Sequence, residues 1–149
     1  MLKDIDPVLT PDLLWLLAAM GHGDDLALVD ANFPAEAIAA ATSSGRLVRL
    51  PGLTVARVAR AVLSLMPIDD FVRDPVRRME VVDNPAAVSP IQEEVQAEID
   101  RAAGRPLPLV GIERYAFYAA ARQAFAVVQV GDRRPYGCFL LRNGVILAA

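Results

Sequence analysis

The apolar residues of this chain fall in short runs, each closed within a few positions by proline, glycine or a charged turn. The run over 26–29, Leu-Ala-Leu-Val, lies between Asp24-Asp25 and Asp30. A four-residue run with no polar alternation suits a strand buried on both faces. Similar signals predict strands over 46–50, 76–82, 109–112, 125–130 and 138–141. Helix punctuation stands between them. Thr10-Pro11-Asp12 offers a capping hydroxyl, a proline at the first helical position and an early carboxylate, and Gly21 is placed to stop the helix. The segment 11–20 is therefore a helix, apolar almost all round and so expected to be sandwiched between other elements. Asn32-Phe33-Pro34 must be a loop, because Pro34 restricts Phe33 and cannot donate. Residues 35–42 read as a weak helical turn. Thr54 caps a helix with Val58, Val62 and Leu65 at helical spacing. Ser89-Pro90-Ile91-Gln92 is a capping box opening a helix that ends at Gly104. Residues 115–123 read as a further helix. Strands alternating with helices predict an α/β fold, with helices on both faces of a largely parallel or mixed sheet of about six strands. No linker, repeat or low-complexity tract interrupts the 149 residues, so one domain over 1–149 is expected.

Composition removes whole classes of function. Fifteen Lys and Arg against eighteen Asp and Glu give a net charge of −3, which offers nucleic acid or an anionic membrane no electrostatic attraction. One Cys and one His supply neither a disulfide nor the usual ligand sets of a metal site. No nucleotide loop of the G-x-G-x-x-G or P-loop type is present, so no nucleotide is indicated. The apolar run over 13–20 is far short of the roughly 20 residues a membrane span needs. Asp4, Asp6 and Asp12 against Lys3 argue against a secretion signal, so a cytoplasmic protein is expected. The mean hydropathy of +0.35 is high for a small monomer and points to buried subunit interfaces.

A few residues could carry chemistry. His22 follows a helix stop between Gly21 and Gly23, and an imidazole can both give and take a proton near neutrality. It could equally be a helix-terminal histidine that favours the negative end of the dipole. Asp30 closes an apolar strand, where α/β sheets present their sites, and could also be a simple Asx turn. Arg114, ahead of Tyr115-Ala116-Phe117-Tyr118, carries a donor fork suited to a hydroxyl pair or a carboxylate. A surface ion pair with Glu113 or Asp132 is its plainer alternative. The aromatic stripe itself reads as core before stacking platform. Tyr136 stands in a turn between Pro135 and Gly137 with its hydroxyl available, and Cys138 reads as a small core residue.

Taken together, Thr10-Pro11, Met20-Gly21-His22-Gly23-Asp24, Asp30-Ala31-Asn32-Phe33-Pro34-Ala35, Arg114-Tyr115-Ala116-Phe117-Tyr118 and Pro135-Tyr136-Gly137 closely resemble the family of L-fucose mutarotases and D-ribose pyranases. Gly23 and Phe33-Pro34-Ala35 make the fucose branch the more similar. The resemblance implies a three-layer α/β/α fold and interconversion of sugar anomers without a cofactor. It also implies homo-oligomeric rings of five subunits, often stacked into decamers, with sites at the contacts between neighbours. By motif position it makes His22 the proton donor, with Asp30, Arg114, Tyr136 and the backbone at Gly137 and Cys138 holding a monosaccharide. Two positions depart from the pattern: Asn32 stands where the fucose branch often has His, and Cys138 where the family usually has Asn. A thiol cannot replace an amide that both donates and accepts. Cys138 therefore motivates a second expectation, a non-catalytic sugar-binding or sensing protein on the same scaffold.

Overall fold

In the computed structural model, which describes residues 1–149, eleven elements form one six-stranded sheet and the five helices around it. They are α1 (Pro11–Ala19), β1 (Asp25–Val29), α2 (Ala35–Ala41), β2 (Leu47–Leu50), α3 (Val55–Leu63), β3 (Val76–Met79), α4 (Pro90–Ala103), β4 (Val110–Ile112), α5 (Arg114–Arg122), β5 (Ala126–Val130) and β6 (Phe139–Arg142). The six strands lie in the order β2-β5-β1-β6-β3-β4. Strands β2, β5 and β1 pair in parallel, as do β3 and β4. Strand β6 runs antiparallel to both β1 and β3, which makes the sheet mixed.

The capping residues act as their chemistry requires. Thr10 Oγ1 accepts the Leu13 N–H at 3.3 Å and Thr54 Oγ1 that of Arg57 at 3.3 Å. Each such cap stabilises a helix by about 1 kcal/mol. At the start of α4, Gln92 Oε1 accepts the Ser89 N–H at 3.3 Å, and Gly104 ends the helix in the left-handed conformation, φ +69°. Glu113 caps α5 with its carboxylate, which accepts from the Tyr115 and Ala116 N–H groups. These two backbone donors hold the Glu113 carboxyl below its ordinary pKa.

Successive residues of the central strand β1 feed opposite cores, because side chains alternate across a sheet. Leu26 and Leu28 join Leu13, Leu16, Val58, Val62, Val95 and Ile99, from α1, α3 and α4. Ala27 and Val29 join Ile38, Ala39, Phe117 and Ala121, from α2 and α5. This is the three-layer arrangement, and the unbroken apolar run of β1 follows from having helices on both sides. No helix is long and apolar enough to cross a membrane.

Two elements differ from their sequence reading. Strand β3 stops at Met79 instead of running to Val82, because Val81 bridges back to Asn84 and Asp83 takes φ +62°. Helix α1 is not sandwiched: Leu13 and Leu16 are buried, whereas Trp15 is 45% exposed. Its second apolar face borders an open groove of about 650 Å³.

Where β5 ends beside β2, a Cβ on Gly131 would fall 1.7 Å from the Pro51 carbonyl oxygen. Gly131→Ala is therefore expected to lower stability by about 1–3 kcal/mol or more, read as an earlier denaturant midpoint. An unchanged midpoint would mean that the two strand ends are not packed this closely.

Candidate active site

Because β6 runs against β1 and β3, its approach lies beside their carboxyl ends. Leu28 pairs with Phe139, and the Met79 N–H donates to the Cys138 carbonyl at 3.1 Å. The turn before β6, Tyr136-Gly137, thus comes to rest against Asp30, the residue that follows β1. Asp30 is 2% exposed. Its Oδ2 accepts the Gly137 N–H at 2.9 Å, and its Oδ1 accepts the Asn32 N–H at 2.9 Å. The carboxylate is at once an Asx turn and a post for the β6 approach. Burial pushes its pKa up, opposed by those two N–H donors.

Tyr136 has φ +64°, a left-handed conformation that costs a side-chain-bearing residue roughly 1–2 kcal/mol. Two buried side chains hold it there by gripping one peptide unit. Gln92 Nε2 donates to the Tyr136 carbonyl at 3.1 Å, and Asp30 takes the N–H of the next residue, Gly137. A side chain at Gly137 would force Ile91 and Asp30 to give way, since a Cβ would lie 2.5 Å from Ile91 Cδ1 and 3.1 Å from Asp30 Cβ. The Tyr136 hydroxyl accepts the Val82 N–H at 3.3 Å.

Arg114 opens α5. Its guanidinium carbon lies 5.0 Å from the Tyr115 ring centre and 5.8 Å from that of Tyr118. It makes no ion pair: Glu113 is turned to the helix cap and Asp132 is held by Arg134. The aromatic stripe divides, with Phe117 in the core, Tyr115 outside and Tyr118 on the cavity wall. A cavity of about 260 Å³ opens among Asp30, Asn32, Phe33, Arg114, Tyr136 and Cys138.

His22 is elsewhere. It precedes β1, whereas Asp30 follows it, so the five residues of β1, roughly 16 Å of strand at about 3.3 Å each, lie between them. The imidazole is half-exposed, with Nε2 3.2 Å from Oδ1 of the buried Asp69, and its ring meets Phe71 edge-on at 5.3 Å. Its loop is fixed from both sides. Asn143 Nδ2 donates to the Gly21 carbonyl at 3.1 Å, and the Asn143 carbonyl accepts the Gly23 N–H at 2.9 Å. Gly23 has φ +86°, which suits glycine. His22 borders the apolar groove beside α1, together with Leu14, Leu17, Leu65 and Ile146.

Residues 3–146 match the RbsD / FucU transport protein family. The chain belongs to that family. It is 40% identical to the human fucose mutarotase over 149 residues, covering 97% of this chain and 94% of that protein. Its fold superposes on protein Atu2016 with a TM-score of 0.95 at 48% identity, covering 99% of this chain and 97% of that one. On the fucose mutarotase of Streptococcus pneumoniae, solved in complex with L-fucose, the TM-score is 0.87 at 29% identity, covering 98% and 100%.

In this RbsD / FucU chain, one cavity gathers Asp30, Arg114, Tyr136 and Cys138, and leaves out His22. Gly137 lies buried behind the cavity with its N–H already taken by Asp30. Sequence reasoning passed over two residues. Gln92 was legible only as the third position of a capping box, and Asp69, in the loop after Pro67, carries no local signal for its pairing with His22. Cys138 faces inward at 3% exposure, with Sγ 3.6 Å from Asp30 Oδ2. Burial, then the Asp30 charge, push its thiol well above the ordinary range. An aromatic disulfide reagent at neutral pH should accordingly leave this thiol unmodified in the native protein and titrate it fully in denaturant. Rapid labelling of the folded protein would contradict the inward placement.

Proposed function

We infer that this protein is a mutarotase, interconverting the α and β anomers of a fucose-like reducing pyranose in a homo-oligomer whose sites lie between subunits. Its proposed setting is the cytoplasm. The observation that carries the reading is the convergence of Asp30, Arg114 and Tyr136 on one cavity while His22 stands at the opposite end of β1. A sugar in that cavity can meet an imidazole only if a neighbouring copy brings one. The exposed apolar surface around His22, with Ile146 78% and Leu65 38% exposed, is the kind of face that a second copy covers.

The chemistry asked of these groups is small. A proton is delivered to the ring oxygen as one leaves the anomeric hydroxyl, so the ring C–O bond breaks and a free aldehyde forms. Rotation about the adjacent C–C bond presents the other face. Reclosure returns both protons and remakes the same bond, with no change of oxidation state. Asp69 occupies Nε2 of His22, which leaves Nδ1 as the atom that serves the sugar. General acid–base assistance of this kind contributes about 10²–10⁴-fold. Arg114 and the Tyr136 hydroxyl hold sugar hydroxyls, and the apolar wall from Phe33 to Cys138 suits a pyranose with few polar substituents on that side. In this reading Gly137 shapes the site from behind, because its own N–H is occupied, and Cys138 contributes floor. The likeness to fucose mutarotases favours this reading over a protein that only binds sugar.

Magnetisation-exchange NMR on L-fucose tests the reading. The wild-type protein should speed anomer exchange without moving the equilibrium, and His22→Ala should slow it at least about tenfold while remaining folded. Binding without faster exchange would make it a sugar-binding protein instead. The shared site has its own test. Folded His22→Ala and Arg114→Ala chains, each of low activity, should regain up to about a quarter of wild-type activity when co-assembled, since that fraction of contacts carries both intact halves. Mixtures no better than the average of their parents would place the whole site in one chain.

A further inference from the structure

Gln92 is 0% exposed, although the third position of a helix usually faces solvent. An amide can make four hydrogen bonds, and all four are made here. Nε2 donates to the Met79 carbonyl at 2.8 Å and to the Tyr136 carbonyl at 3.1 Å. Oε1 accepts from Arg78 Nη1 at 3.2 Å and from the Ser89 N–H at 3.3 Å. Arg78 is itself buried, at 8% exposure. Its other bonds go to the carbonyls of Ala87 and Pro85, at 3.2 and 3.1 Å, and no carboxylate pairs with it. A guanidinium taken out of water with no carboxylate at ion-pair distance is costly to keep, so the pair of Gln92 and Arg78 adds little net stability. What the pair accomplishes is geometric. It ties the end of β3 and the segment 85–87 to the carbonyl of Tyr136, whose backbone is left-handed.

We propose that Gln92 is a positioning residue of the sugar site, acting through Tyr136. By holding the Tyr136 carbonyl while Asp30 holds the Gly137 N–H, it stops this peptide from rotating and so fixes where the phenol hydroxyl stands. Arg78, carried on the same amide, anchors the segment after Val82, whose N–H meets that hydroxyl from the opposite side. The sugar-site part of the proposal rests on the mutarotase reading above, whereas the restraint on the Tyr136-Gly137 peptide does not.

Two variants test it. Gln92→Met keeps the volume and removes every hydrogen bond. Gln92→Glu keeps an acceptor paired with Arg78 and loses the donor to Tyr136. In Gln92→Met, hydrogen exchange at the Gly137 amide should rise about tenfold or more against a β1 amide such as Leu28. In both variants KM for L-fucose should rise about five- to tenfold with kcat within about twofold, the loss of one neutral hydrogen bond. A residue that only supported the fold would instead show Gln92→Glu, with its ion pair to Arg78, restored in both thermal midpoint and KM. Wild-type Gly137 protection and KM in a folded variant would overturn the proposal. So would failure of both variants to fold, which would make Gln92 a core support alone. Should the wild-type protein not speed L-fucose exchange, the mutarotase reading falls by itself, and Gly137 protection still decides whether Gln92 holds the peptide.

Discussion

Strand β6 enters the sheet between β1 and β3 and runs against both, and the meeting of the Tyr136-Gly137 turn with Asp30 at the cavity follows from that reversal. Parallel strands deliver their carboxyl ends to one edge of a sheet. An antiparallel strand inserted among them starts at that same edge, so the Tyr136-Gly137 turn meets Asp30 and Met79 directly. The Asp30–Gly137 hydrogen bond at 2.9 Å closes the contact. Lengthening or slipping β6 by one residue would send Cys138 to the α4 side and Phe139 to the cavity, since one step in register exchanges the faces of a strand.

The polar groups behind this edge are few, buried and almost completely satisfied. Asp30 accepts from two backbone N–H groups, and Gln92 uses all four of its bonds. Such a network adds little net stability, because burial takes back much of what each bond supplies. Its effect is to make one backbone geometry much better than its neighbours, and Tyr136 at φ +64° is the geometry selected. Around His22 the physics is different. One hydrogen bond to Asp69, an edge-on contact with Phe71 and a largely apolar groove leave the ring half-open, a surface that gains by being covered.

Much of this was readable in the sequence where the signal is local. Thr10, Thr54, Ser89 and Gly104 mark helix ends through bonds made within a few residues, and the four-residue run before Asp30 marks a strand buried on both faces. The motifs around His22, Asp30, Arg114 and Tyr136 also picked out residues that the fold places at two surfaces. What failed to show was long-range. Nothing near Asp69 announces a partner 47 positions away, and nothing near Gln92 announces that its amide reaches Tyr136 across 44. The end of β3 was misjudged because valines 81 and 82 fit a strand by type, while Asp83 turns the chain. The all-round apolarity of α1 was read as complete burial, whereas this chain covers only one of its faces.

In the proposed mutarotase, the acid–base group and the sugar-binding groups lie at opposite ends of one strand, and under that proposal they act together only between copies. A crystal structure with L-fucose bound tests that most directly. The sugar should sit against Arg114 and the Tyr136 hydroxyl of one subunit, with Nδ1 of a neighbouring subunit's His22 within about 3.2 Å of the ring oxygen or the anomeric hydroxyl. Fucose contacted by a single chain, or seated in the groove beside α1 with Asp30, Arg114 and Tyr136 left facing solvent, would contradict it.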